Sequence, residues 1–196
     1  LENVSGLSVA TRADVLNEEI LEYLEELNKR TFLWVELGLQ SSNNKTAQLI
    51  NRGHDFEVFI NGVEKLRKRN IKVCVHIING LPGESYNDMI KTVNDISKLD
   101  INAVKIHMLY ILKDTPLFKL YKNEKFRLME REEYIKTVAD QIELLPEKVV
   151  IERLTGDGKA EDLAAPLWSR NKISILNDID KELARRGTWQ GIRNQI

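Results

Sequence analysis

Short β-rich segments alternate with amphipathic helical segments in the first half of the chain, and this alternation constrains the fold most. The strand-like segments lie at 7–10, 32–39, 71–79 and 103–111. Between them, apolar residues recur at helical spacing behind Asn17, Asp55 and Ser85, residue types that favour helix N-termini. Strands that alternate with helices are typical of βαβ units, whose right-handed crossovers produce a parallel sheet. The pattern therefore predicts an α/β fold, either an open doubly wound sheet or a barrel.

The second half of the chain has a different texture, with longer helical segments and fewer strands. The sequence predicts a helix over 130–145, a strand over 149–154 and a last helix over 167–185 that ends at Gly187. We therefore expect a β/α unit at 1–112 and an α-rich C-terminal extension at 113–196 that packs on it.

The predicted strands each have one apolar face and one half-polar face, because successive side chains point to opposite sides of a sheet. If the polar residues were buried without partners, each would cost about 1–3 kcal/mol. We therefore expect a cavity that holds water or a polar ligand inside a curved sheet. The alternative is that the strand ends protrude and these side chains meet solvent. The polar face carries Glu36, Gln40, His76, Lys105 and His107.

The charge balance restricts nucleic-acid binding to a local patch. The chain has 29 Lys and Arg against 30 Asp and Glu, a net charge of -1, so it has no overall basic field. One stretch mixes basic and aromatic residues, which suits either an RNA-binding strip or a solvated amphipathic connector. This strip consists of Lys113, Lys119, Lys122, Lys125, Arg127 and Arg131, with Phe118, Tyr121 and Phe126 between them.

The chain has one cysteine, Cys74, so it cannot form an internal disulfide or a zinc or iron–sulfur site built from several cysteines. We expect Cys74 to be a small interior residue. With so few cysteines, we expect a reducing, cytoplasmic location. No apolar run reaches 18 residues, so the sequence predicts no membrane span.

Two short motifs lie where β/α proteins build their sites, at the carboxyl ends of strands. Gly80 to Gly83 is a G-L-P-G turn between a strand and a helix, and by itself it is an ordinary turn. Gln40 ends a strand, and Arg52 ends the short helix predicted over 45–51. Arg52 could hold a carboxylate, or could simply complement the helix dipole.

Taken together, the motifs resemble a known family. They are T-R-A-D at 11–14, V-E-L-G-L-Q-S at 35–41, R-G-H at 52–54, H-I-I-N-G-L-P-G-E at 76–84 and K-I-H at 105–107. In this order they resemble the radical S-adenosylmethionine (SAM) superfamily, in particular bacterial proteins similar to the Elongator catalytic subunit. The segments R-L-T-G-D-G at 153–158 and A-P-L-W at 165–168 resemble that branch as well. Ala13 departs from the Pro that the first motif usually has.

The resemblance implies roles for individual residues. Gln40 matches a glutamine that contacts SAM, Arg52 matches an arginine that binds the methionine carboxylate, and His76 matches a position near the ribose or adenine. Lys105 and His107 would line the barrel near the substrate. The remaining implied cofactor contacts are Thr11 and Arg12 at a strand end, and Gly80, Pro82 and Gly83 beneath the adenine.

The resemblance also implies an activity. Such enzymes use a [4Fe–4S] cluster, held by three cysteines, to cleave SAM into a 5′-deoxyadenosyl radical, and relatives act on tRNA wobble uridine. Those cysteines are absent here, so we expect them before Leu1. The chain would then be a C-terminal fragment, inactive alone, that contains the last four βα units of a six-unit partial barrel. Its exposed strand edges could cause self-association.

Two alternatives remain open. The first is a metal-free barrel that serves as a binding or scaffold module, which the shortage of cysteines favours. The second is another barrel enzyme in which Lys105, inside the cavity, forms a Schiff base, although no pair of carboxylates accompanies that lysine in the pattern.

Overall fold

The computed structural model describes residues 4–156 and 161–194. Its strands are β1 Gly6–Thr11, β2 Phe32–Gln40, β3 Lys72–Asn79, β4 Ala103–Met108, β5 Ile111–Leu112, β6 Val150–Arg153 and β7 Leu163–Ala165. Its α-helices are α1 Glu18–Arg30, α2 Asn44–Leu49, α3 Phe56–Lys68, α4 Tyr86–Ser97, α5 Pro116–Lys122, α6 Arg131–Leu144 and α7 Lys172–Arg186. Residues 157 and 158 of the predicted G-D-G loop lie outside the described residues.

A five-stranded parallel sheet forms the centre of the fold, in the order β1-β2-β3-β4-β6. Because the spatial order follows the chain order, each helical crossover brings the next strand to the same side of the last one, as in a barrel wall. The α/β prediction is confirmed. The fifth strand, β6, comes from beyond residue 112, so the α-rich second half also contributes to the sheet.

The helix starts in the first half follow from local sequence. The side chain of Asn17 accepts a hydrogen bond from the amide of the third residue after it, and Asp55 does the same at α3. Ser85 and Asp88 form a reciprocal capping box at α4. Each cap satisfies amide groups that a helix leaves unpaired at its start, so the three predicted starts are confirmed.

The start predicted for the last helix is wrong. Leu167–Arg170 forms a separate 3-10 helix, and α7 begins only after Asn171, whose side chain accepts a hydrogen bond from the Ser174 amide. An asparagine competes well for the N-cap position, and the side chain of Ser169 bonds the Pro166 carbonyl in the preceding turn. The chain therefore turns before it continues as a helix.

The strand predicted over 103–111 is also interrupted. It leaves the main sheet after Met108, and residues 111–112 pair instead with β7 in a two-stranded antiparallel sheet. The amide of Leu109 still donates to the Asn79 carbonyl at 2.8 Å, which ends the ladder with β3. The end of the predicted strand therefore pairs with β7, which lies far along the chain.

The apolar strand faces form the core, which packs against α1, α3, α4 and α6. The central residues of this face are at most 2% exposed, and full burial of such a side chain stabilises the fold by about 1.5–3 kcal/mol. They are Val35, Leu37, Leu39, Val73, Val75, Ile77, Val104 and Ile106. Cys74, on the opposite face of β3, is 0% exposed, as expected for an interior residue. Within residues 4–156 and 161–194, no helix combines the length and apolarity that crossing a membrane requires.

Candidate functional site

Glu36 is the centre of a polar network on the inner face of the sheet. Its Oε2 accepts hydrogen bonds from His76 Nε2 and from Lys105 Nζ, each at 2.6 Å. Its other oxygen, Oε1, accepts from the Ser8 hydroxyl. The parallel register pairs His76 with Lys105 and Gly38 with His76, so the four side chains come from four neighbouring strands.

The network fixes the charges of its members. Burial raises the pKa of Glu36, but hydrogen bonds from Lys105, Ser8 and His76 outweigh burial and lower the pKa to about 2. Burial lowers the pKa of His76. Burial and the neighbouring cationic groups lower the pKa of His107 to about 4. At neutral pH the network therefore holds an ionised carboxylate beside neutral imidazoles.

Lys105 is held as an ammonium group. It lies 2.6 Å from Glu36 and 3.4 Å from Glu152 of β6. Burial lowers the pKa of Lys105, while the hydrogen bond and charge of Glu36 raise it by more. A Schiff-base lysine needs a neutral amine, so this double pairing argues against the barrel enzyme built on Lys105.

The expected cavity is confined to one end of the polar face. Most polar groups there satisfy each other, so they need no enclosed ligand along the whole face. At the carboxyl ends of β2 to β4 a pocket of about 260 Å³ remains, lined by Gln40, His76, Ile78, His107 and residues 108–110. The rings of His76 and His107 stack there, with centroids 5.3 Å apart. His107 Nε2 is buried and has no hydrogen-bond partner within the described residues.

Gln40 and Arg52 meet at the end of β2. Gln40 has a φ of 69° beside a shift in the β2–β3 register, and Arg52 donates to the Gly38 carbonyl. A Cβ at Gly38 would lie 2.7 Å from Gln40 Nε2 and 3.5 Å from Arg52 Nη2, so a side chain there would displace the Gln40 amide. Arg52 Nε is buried and has no partner within the described part of the chain.

Arg12 lies close to the same corner. Its guanidinium pairs with Asp14 at 2.6 Å and would meet a Cβ on Gly53 at 2.5 Å. Burial lowers the pKa of Arg52, and the positive charge of Arg12 adds to this effect. Thr11 ends β1 nearby and is half-buried. Arg12 and Arg52 therefore form one cationic corner at the end of β2.

The G-L-P-G turn is only partly open. Gly80 is buried with a φ of 84°, its amide donates to the Met89 sulfur at 3.2 Å, and a Cβ there would lie 3.0 Å from Met129. Pro82 is half-buried and Gly83 is exposed. The accessible part of the turn is therefore its second half.

The structure brings Gln40, His76 and His107 together at one pocket, and Gln40 and Arg52 together at Gly38. Lys105 lies in the ion-pair network instead. Glu36 is the shared partner in that network, whereas the sequence pattern identifies it only as one member of a polar face. The sequence contains the four polar residues of the network, but only the strand register shows that they are partners. They are Ser8, Glu36, His76 and Lys105.

The described residues do not fit an iron–sulfur cluster. They contain no group of three or more His, Cys, Asp or Glu side chains that could hold a metal ion. Cys74 is fully buried, and burial raises the pKa of its thiol. The cationic corner does fit SAM, because an arginine with an unpartnered buried N–H suits a carboxylate.

The basic strip is partly neutralised. Arg127 makes two hydrogen bonds to Glu133, at 2.8 and 2.9 Å. Arg131 pairs with Asp178, and Lys113 donates to the Glu161 carbonyl at 2.7 Å. These three side chains therefore stabilise the fold locally.

The remaining lysines of the strip, Lys119, Lys122 and Lys125, are exposed. Lys122 Nζ lies 5.5 Å from the Phe118 ring centre. A groove of about 520 Å³ runs beside them, lined by Tyr121, Lys122, Glu124, Phe126 and Arg127. Exposed lysines and aromatic rings thus share one surface.

Comparisons with known proteins agree with this architecture. A model of the Radical SAM superfamily matches residues 2–96, and a model of the Radical_SAM C-terminal domain matches residues 101–185. YtqA of Bacillus subtilis is 48% identical over 191 residues, which cover 97% of this chain and 59% of YtqA. The tRNA uridine(34) acetyltransferase of Methanocaldococcus infernus is 28% identical over 155 residues, 78% of this chain and 28% of that protein.

The solved structure of archaeal Elp3 from Methanocaldococcus infernus superimposes with a TM-score of 0.82. That match has 24% sequence identity and covers 95% of this chain and 43% of Elp3, so it establishes the fold. The predicted partial barrel is confirmed by this likeness. The two matched models together span most of the chain and show that it belongs to the radical SAM superfamily.

Proposed function

We propose that this chain forms the part of a radical SAM enzyme that binds SAM and faces the substrate, and that the whole protein acts on a tRNA wobble nucleoside. Enzymes of this superfamily use SAM together with a [4Fe–4S] cluster. With SAM and the cluster both in place, one-electron reduction of SAM would supply a 5′-deoxyadenosyl radical able to abstract a hydrogen atom from the substrate. In this proposal the described residues do not hold the cluster.

The cationic corner at the end of β2 carries the proposal. Arg52 is held against the Gly38 carbonyl, and its buried Nε lacks a partner within the described residues. Asp14 pairs with Arg12, at 2.6 Å. This leaves the Arg52 guanidinium to bind the methionine carboxylate of SAM. Burial excludes water from this contact and strengthens it.

Gln40 connects this corner to the pocket. The side chains of Gln40 and Arg52 both lie next to Gly38. Gln40 also lines the pocket together with His76 and His107. In the proposal, Gln40 and His76 bind polar groups of the nucleoside part of SAM. His107 borders the substrate. Lys105 pairs with Glu36, which in turn holds the pocket residue His76. Thr11, Arg12, Pro82 and Gly83 would border the cofactor, and buried Gly80 would shape the turn.

The experiment that tests the cofactor site is calorimetry of SAM binding. Arg52→Ala and Gln40→Ala should each weaken binding, with Arg52→Ala weaker by at least about tenfold because a charge-assisted hydrogen bond contributes about 1.5–3 kcal/mol. Arg30→Ala is the matched control, since Arg30 makes only an exposed pair with Glu26. Equal SAM affinity in all four proteins, or no SAM binding to any of them, would refute the assignment.

The choice of tRNA rests on two supports. One is the relative named tRNA uridine(34) acetyltransferase. The other is the exposed surface of Lys119, Lys122 and Lys125 beside aromatic rings, which suits the phosphates and unstacked bases of a tRNA loop.

Binding of an unmodified tRNA transcript tests this surface. Changing the three lysines to Gln should weaken binding and lower the slope of log affinity against log salt by about 0.7–0.9 per lost phosphate contact. A control with Gln at Lys29 and Lys68, which are exposed on α1 and α3, should leave the slope unchanged. An unchanged slope in the strip variant would exclude this surface.

A further inference from the structure

The hydrogen bond between His76 and Glu36 determines which ring nitrogen of His76 carries a proton. It joins His76 Nε2 to Glu36 Oε2 at 2.6 Å. Glu36 is ionised, because Lys105, Ser8 and His76 hold its pKa at about 2. An ionised carboxylate can only accept hydrogen bonds, so His76 Nε2 must be the donor.

The other nitrogen of His76 is left as an acceptor. Burial lowers the pKa of His76, so the ring is neutral near pH 7. In a neutral imidazole with the proton on Nε2, the lone pair lies on Nδ1. Within the described residues His76 Nδ1 makes no hydrogen bond, and this atom is not fully buried. The side chain of His76 lines the 260 Å³ pocket.

The rest of the pocket lining contains no charged side chain and combines polar with apolar residues, the latter being Ile78, Met108 and Leu109. The polar residues of the lining are Gln40, the neutral His107 and Tyr110. The buried Nε2 of His107 also lacks a partner within the described residues. The charges of Glu36 and Lys105 neutralise each other outside this lining. The pocket therefore suits a neutral polar group that brings its own hydrogen-bond donor.

We propose that Glu36 is a positioning residue that holds His76 in the Nε2–H tautomer, so that His76 Nδ1 accepts a hydrogen bond from an O–H or N–H group of a nucleoside bound in this pocket. This inference rests on the proposed function, in which SAM and a nucleoside substrate both approach the pocket. Either one carries ribose hydroxyls and base N–H groups, so the shared chemistry is a nucleoside donor.

The tautomer is measured directly by long-range ¹H–¹⁵N correlation spectra of the ¹⁵N-labelled protein near neutral pH. The chain has three histidines, and single His→Gln variants assign their signals. The expected result is a protonated Nε2 and an unprotonated Nδ1 for His76. A predominant Nδ1–H tautomer, or an imidazolium ring, would overturn the proposal whatever the ligand does.

Variants of Glu36 separate positioning from general stability. Glu36→Ala removes the acceptor, so His76 should become a mixture of tautomers. Glu36→Gln retains a carbonyl acceptor and should keep most of the Nε2–H form, which is rescue by the conservative variant. Ser8→Ala is the matched control, because Ser8 bonds the other oxygen of Glu36. If Glu36→Ala does not fold, the wild-type and Glu36→Gln spectra still decide the question. An unchanged tautomer in a folded Glu36→Ala protein would contradict the positioning role.

Titration with SAM and, separately, with uridine identifies the source of the donor. A shift of the His76 Nδ1 signal with SAM assigns the donor to the cofactor, and a shift with uridine assigns it to the substrate. No shift with either ligand would overturn the proposal. The ligand that shifts the signal should bind Glu36→Ala about fivefold more weakly, as expected for one lost hydrogen bond.

The two proposals can fail separately. If SAM binds in an Arg52-dependent manner and neither ligand moves the His76 signal, the proposed function stands and this inference fails. If uridine moves the signal of an Nε2–H ring while SAM binding ignores Arg52 and Gln40, the role of Glu36 stands and the proposed cofactor site fails.

Discussion

Replacing Glu36 with Gln should remove about 2 kcal/mol of the stability that the protein loses between pH 7 and pH 3. The environment of Glu36 lowers its pKa from 4.5 to about 2. At about 1.4 kcal/mol per pKa unit, this difference corresponds to about 3 kcal/mol of folding free energy at pH 7. The side chain is 16% exposed, so solvent screens little of this contribution.

The direction follows from the lowered pKa. A carboxyl group that is more acidic in the folded state stabilises the fold above the pKa of the unfolded chain. This stabilisation is lost as the pH falls from about 5 toward 2, because protons then bind the unfolded chain first. By pH 3, about 2 kcal/mol of it should be gone. The difference in unfolding free energy between wild type and Glu36→Gln should shrink by that amount between pH 7 and pH 3.

Urea unfolding followed by far-UV circular dichroism at several pH values measures this difference. Glu133→Gln is the control: Arg127 also lowers the pKa of Glu133, but this pair is exposed and salt screens it. In moderate salt the Glu133→Gln curve should follow wild type. If the Glu36→Gln and wild-type curves fall in parallel from pH 7 to pH 3, the reasoning about this network is refuted.

Three further predictions concern the fold. Tyr134→Phe removes the bond from the buried Tyr134 hydroxyl to the Leu154 carbonyl and should lower the unfolding free energy by about 1–2 kcal/mol in urea; no loss would mean that this carbonyl finds another donor. Gly80→Ala should lower the unfolding free energy by about 1–3 kcal/mol, and by more than Gly83→Ala does. Both glycines have a positive φ, but only Gly80 is crowded by Met129. Equal losses in the two variants would leave backbone strain as the only cause. Sedimentation at rising concentration should reveal self-association through the exposed edge of β1, and a monomer throughout would contradict that expectation.

Local chemistry explains what the sequence could predict. The caps at Asn17, Asp55 and Ser85 act within three residues of themselves, so their helices could be located from the sequence alone. The alternation of apolar residues in β2 and β3 likewise identified the buried face correctly. Both signals depend on neighbours along the chain.

What the sequence could not predict depends on residues that are far apart. The strand over 103–111 breaks because Ile111 pairs with Ala165, more than fifty residues later. The polar face needs no ligand along its length because Glu36 finds partners on three other strands, and only the register of the sheet reveals them. The same holds for Gly80, which is covered by Met129 from the second half of the chain.

The burial of Cys74 gives the protein a native chemical reporter of its own opening. This single thiol lies in the middle strand of the sheet with 0% exposure, and burial raises its pKa, so little of the reactive thiolate is present in the folded state. An alkylating reagent can reach the sulfur only after the groups that cover this face of β3 move away. The labelling rate of the unaltered protein therefore measures how often the inner face of the sheet becomes uncovered, and a ligand that stabilises the closed form should slow that rate.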